Sequence, residues 1–107
     1  MRRRLTILAA ALTLAPAWAQ EAPGPGHDLY LDHCASCHGQ HLDDGQFAPS
    51  LKGSAFRGRW GQADGRALQA YVATNMPPGA GGSLATEDYA AIVGYVRASN
   101  VIPPSKS

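Results

Sequence analysis

The sequence predicts an all-α fold: one small domain of three main helices with loops wrapped around something held at its centre. Three observations predict it. No run of alternating or continuous β-branched residues occurs anywhere in the 107 residues, so nothing reads as a strand. Apolar residues recur instead at helical spacing in two stretches, residues 64–74 and 86–99. The segments between are dense in Gly, Pro, Ser and Asp, which is loop chemistry.

The chain opens on a segment that does not belong to the fold. Arg2, Arg3 and Arg4 form a positive start, Leu5 to Leu14 is apolar, and Ala17 and Ala19 put small residues where a signal peptidase reads. Residues 1–19 are therefore expected to be a cleaved secretory signal, which places the mature protein in the periplasm. The apolar stretch is too short to span a bilayer and Pro16 interrupts it. Residues 20–25 read as a flexible Pro/Gly-rich lead, residues 26–102 as the folded domain and residues 103–107 as a frayed tail.

A first helix is expected from about Gly26 to the turn at Cys34, because no breaker intervenes and Tyr30 and Cys34 stand at i and i+4. From Gly39 through Gly61 the chain reads as loop. A second helix is expected over Asp64–Thr74, where Leu68, Tyr71 and Val72 share one face. It stops before Pro77, whose ring pushes the preceding residue out of the α region. The third starts with Thr86 as N-cap and Glu87 and Asp88 in its first turn, where negative charge suits the helix dipole. Tyr89, Ile92, Val93 and Val96 give it an apolar stripe, and Asn100 with Pro103 and Pro104 ends it.

Charge narrows the function. Of nine Lys and Arg residues, the three in the signal are lost with it, leaving six against eight Asp and Glu and a formal net charge of −2. No basic patch remains for nucleic acid or anionic lipid. About 88 residues bury only a limited core, so an inserted apolar cofactor would supply much of the interior.

Cys34, Ala35, Ser36, Cys37 and His38 form a CxxCH pentad, the attachment pattern of a c-type haem. Two cysteines at this spacing form thioethers to the two vinyl groups of one haem, and the following histidine is placed to ligate the iron. A CxxC pair also serves thioredoxin-like couples, zinc sites and short disulfides. A thioredoxin-like site needs strands. A zinc site needs four ligands, and His33, His38 and His41 crowd one turn around the only two cysteines, which leaves it open but crowded.

Met76 is the sole methionine of the mature chain and stands immediately before Pro77, Pro78 and Gly79. A methionine on such a break is poor core filler and a good second axial ligand, reached by a chain long enough to pass to the other face of the haem. His27, His33 and His41 are the competing ligands. Phe47, Leu51, Phe56, Trp60, Leu68, Tyr71 and Val72 are the expected walls of the pocket. Arg57, Arg59 and Trp60 are candidates to reach the haem propionates, since guanidinium and indole donors suit carboxylates; the alternative is that both arginines are only solvated.

Taken in order, these pieces resemble a class I cytochrome c of the small monohaem bacterial kind, similar to the cytochrome subunits of periplasmic dehydrogenases. The resemblance is carried by the CxxCH pentad, by Gly26 and Tyr30 ahead of it, by Ala48-Pro49-Ser50-Leu51-Lys52-Gly53, by Asn75-Met76-Pro77-Pro78-Gly79 and by Val93-Gly94-Tyr95-Val96. It implies the cytochrome c fold around one covalent haem c, with His38 and Met76 as axial ligands. It implies that the first and last helices cross near Gly26 and Tyr95, and that the Pro49 carbonyl accepts a hydrogen bond from Nδ1 of His38. It departs from mitochondrial cytochrome c in having only Lys52 and Lys106, so a partner that reads a ring of lysines is not expected.

The implied role is a one-electron carrier between a dehydrogenase and an acceptor such as a terminal oxidase or another cytochrome, as a monomer or as a subunit of a hetero-complex, with no membrane span in the mature chain. It is not an enzyme with a substrate of its own. The alternatives are a fixed subunit of a periplasmic dehydrogenase complex and a haem sensor or enzyme with an open sixth position.

Overall fold

A computed structural model describes residues 24–102. The expected signal over residues 1–19, the expected lead as far as residue 23 and the expected tail over residues 103–107 lie outside the described residues. Five helices and no strand are found among those described: α1 (Pro25–His33), α2 (Ala35–His38), α3 (Ser54–Trp60), α4 (Gly65–Asn75) and α5 (Thr86–Ser99). None is long and apolar enough to cross a membrane.

α1 starts one residue earlier than expected, with Pro25 in its first turn. Proline suits that position because its missing N–H has no intrahelical partner there and its fixed φ is already helical. α4 matches its expected span to within a residue, and Asp64 caps it by accepting the Arg66 N–H at 3.0 Å. α5 corrects one expectation. Ala85, not Thr86, is the N-cap, since its extended carbonyl accepts the first bonds, from Asp88 at 3.0 Å and Tyr89 at 3.1 Å.

α3 is the larger correction, because residues 39–61 were expected to be loop throughout. Gly53 and Gly61 at its ends and Gly58 inside it hide the helix, the interior glycine costing about 1 kcal/mol against alanine. Phe56 and Trp60 stand at i and i+4, with Phe56 buried and Trp60 packed against the same core. Their burial outweighs the weak local propensity.

α5 is the central rod. It packs against α1 on one side and α4 on the other. At the α1 crossing the missing side chain of Gly26 sets the distance: a Cβ built there would overlap the Ala91 carbonyl oxygen and sit 3.0 Å from the Tyr95 Cβ. Only glycine lets the two backbones come so near. The core beneath joins Tyr30, Leu42, Phe56, Leu68, Ile92, Val93, Val96 and Ile102, so every long helix contributes to one cluster.

Candidate cofactor site

The CxxCH turn is held at both ends by α1. Cys34 ends that helix, its φ of −125° leaving the helical region while its N–H still donates to the Tyr30 carbonyl at 2.8 Å. The Cys34 carbonyl then accepts the His38 N–H at 3.0 Å, which closes the single turn of α2. Gly39 follows with φ 98°, a region that side chains disfavour. The Tyr30 hydroxyl, wholly buried, donates to the Gly39 carbonyl at 2.7 Å. Burial, with the neighbouring Cys34 thiol second, pushes the Tyr30 phenol well above its ordinary range, so it stays a donor.

His38 is 8 % exposed, and its Nδ1 lies 2.8 Å from the Pro49 carbonyl oxygen. A carbonyl can only accept, so that bond fixes the proton on Nδ1 and leaves the Nε2 lone pair free to bind a metal. The Cys34 thiol is pushed up to about 11, first by burial and then by Cys37, and keeps its proton at neutral pH.

Met76 lies across the fold at the end of α4, where it is the C-cap with extended backbone. Its N–H donates to the Val72 carbonyl at 2.8 Å, and its own carbonyl accepts the Tyr89 hydroxyl at 2.6 Å. Between the two segments opens a cleft of about 390 Å³, bordered by Cys34, Cys37, His38, Pro49 and Met76. That volume falls in the roughly 300–1,000 Å³ range of small-molecule sites.

All seven expected wall residues line this cleft: Phe47, Leu51, Phe56, Trp60, Leu68, Tyr71 and Val72. α5 adds Ile92, Val93 and Val96, which the sequence presents only as an apolar stripe. The two arginines part company. Arg59 borders the cleft with its guanidinium 4.9 Å from the Trp60 ring centre and 5.0 Å from that of Tyr71. Arg57 is exposed and does not border it, because residues two apart on a helix point to different faces.

The competing histidines are distributed just as unevenly. His27 packs edge-on against Tyr95 at 5.3 Å, and exposed His41 bonds Asp44 at 2.7 Å through Nδ1; neither borders the cleft. His33 does, from an exposed position. Among the described residues no group of three or more His, Cys, Asp and Glu side chains comes together to hold a metal, so the zinc alternative finds no site.

Sequence reasoning missed one residue of the surrounding frame. Asn100, 3 % exposed, accepts the Gly53 N–H at 3.0 Å and donates to the carbonyls of Leu51 at 2.8 Å and Val96 at 2.9 Å. It ties the end of α5 to the loop just beyond Pro49. The only signal available was an asparagine at a helix end, which many helices have.

Two thiols beside an imidazole with a free ring nitrogen, a thioether at the far end, apolar walls between and a guanidinium at the margin suit a haem. Fold and site together define a small all-helical monohaem protein of the class I cytochrome c type. The family described as cytochrome c oxidase, cbb3-type, subunit III matches residues 21–96, and the chain belongs to that family. No curated protein matches it closely enough to identify a relative.

Proposed function

We propose that the chain is a periplasmic one-electron carrier that holds a haem through thioethers from Cys34 and Cys37, with His38 and Met76 as axial ligands. The observation that carries this reading is that His38 and Met76, 38 positions apart in sequence, border a single apolar cleft together with both cysteines.

A haem bound there supplies the one-electron iron couple. The remaining work falls to the chain. Pro49 orients His38 and raises its basicity through Nδ1. Phe56, Leu68, Ile92 and Val93 keep water from the interior, which favours the less charged reduced state. His38 and Met76 would hold the iron of a haem bound there, and the Met76 thioether would favour its reduced form. Arg59, with Trp60 beside it, offers donors for propionates at the margin. Docking to a redox partner is transient, over a small apolar patch with a polar rim, because a shuttle must release quickly.

Met76→Ala tests the reading. The ferric wild-type protein is expected to show the weak long-wavelength band of methionine-ligated haem, and the variant is expected to lose it, to have a lower reduction potential and to bind carbon monoxide readily when reduced. A wild-type protein that lacks the band and binds carbon monoxide rapidly at neutral pH is a sensor or enzyme instead.

The family's description names an oxidase subunit, which favours a second reading with the same chemistry: a fixed electron-transfer subunit of a larger redox complex. Size-exclusion of a native extract followed by haem staining separates the two. A free carrier elutes near its own mass, and a subunit elutes with its complex.

A further inference from the structure

Tyr89 lies in the first turns of α5 and is 3 % exposed. A phenylalanine would fill that space equally well, so the hydroxyl calls for its own explanation. It donates to the Met76 carbonyl at 2.6 Å and accepts the Leu84 N–H at 3.4 Å. Met76 and Leu84 stand at opposite ends of the segment that joins α4 to α5. The interior of that segment is held by short-range turns, Ala80 N–H to the Pro77 carbonyl at 2.8 Å and Ser83 N–H to the Ala80 carbonyl at 3.1 Å, with Gly79 and Gly82 at positive φ. Its local bonds leave its two ends unjoined, and the phenol hydroxyl bonds to both.

We propose that Tyr89 is a positioning residue that clasps the Met76 segment and so keeps its thioether in the cleft. This rests on the reading of Met76 as an axial ligand. A swing of this segment carries the thioether out of the cleft, and that is the movement the Tyr89 hydroxyl opposes. Swinging parts the Met76 carbonyl from the buried hydroxyl that donates to it, and a buried donor left unpaired is costly. The clasp therefore sets how often the sixth position opens to an outside ligand. The ring packs as core and the hydroxyl sets retention.

The test is imidazole binding to the ferric holoprotein, followed in the visible spectrum, for wild type, Tyr89→Phe and Gly26→Ala. Tyr89→Phe keeps the ring and removes the clasp, and is expected to raise the imidazole affinity about tenfold, or about 1.4 kcal/mol, while retaining the methionine band in the absence of imidazole. Gly26→Ala strains the α1–α5 crossing away from the cleft, so it measures what simple loss of stability does. Its imidazole affinity is expected to stay within twofold of wild type. An unchanged affinity in Tyr89→Phe, or an equal rise in both variants, overturns the proposal while leaving the ligand reading intact. Absence of the methionine band from the wild-type protein overturns the ligand reading first and this proposal with it.

Discussion

The N–H of Gly53 donates to Oδ1 of Asn100 at 3.0 Å across 47 positions of sequence. The same side chain reaches Leu51 and Val96 with its amide, so three backbone groups depend on one buried residue. Asn100→Ala is expected to cost roughly 2–3 kcal/mol, since buried groups left without partners cost about 1–3 kcal/mol. Urea unfolding of the holoprotein measures it, and a loss below about 0.5 kcal/mol contradicts the clamp.

Gly26→Ala forces a methyl group into the Ala91 carbonyl at the α1–α5 crossing. Overpacking of this kind costs typically about 1–3 kcal/mol. In a domain of this size that lowers the melting temperature by roughly 4–8 °C for each kcal/mol. An unchanged thermal midpoint would show that the helices part without cost.

Arg59 and Arg57 make a matched pair for the reduction potential. Arg59→Gln removes a positive charge at the cleft, which disfavours the added electron, and is expected to lower the potential by about 10–40 mV, the equivalent of roughly 0.2–1 kcal/mol for a partly exposed charge. Arg57→Gln, exposed and away from the cleft, is expected to change it by less. Redox titration of both variants decides, and equal shifts contradict the assignment of Arg59.

The Asp44 carboxyl is held below the ordinary carboxylate range, chiefly by its hydrogen bonds from His41. A group whose folded value is depressed adds stability above its unfolded value, near 3.9 for aspartate, and loses it as pH falls through the folded value. Unfolding midpoints of wild type and Asp44→Asn are therefore expected to differ at pH 6 and to converge as the solution is acidified below pH 4. A gap that stays constant over that range contradicts the linkage.

Much of this was legible in the sequence because its determinants are local. Periodicity located α1, α4 and α5, and the residues around CxxCH and Met76 marked the two ends of the cleft. The crossing at Gly26 and the Pro49 contact to His38 came from resemblance to a family rather than from spacing, and the geometry at both places agrees with it. What escaped depends on contacts made far along the chain. α3 forms because Phe56 and Trp60 find a core built mostly by other segments. Asn100 reads as a helix end until Leu51 and Gly53 are brought to it. The difference between Arg57 and Arg59 was within reach, but only once both were known to lie on one helix, where two positions apart means different faces.

The Gly26 crossing also shapes how this chain reaches its folded state. The first helix finds its main partner in the last, at the far end of the described chain. Contacts of such wide sequence separation carry the entropy cost of closing the intervening chain, which tends to slow folding relative to a fold built from local contacts. A chain cut anywhere before α5 loses the lid on α1, the support of α4 and the side chains that hold the segments on both sides of the cleft in one stroke.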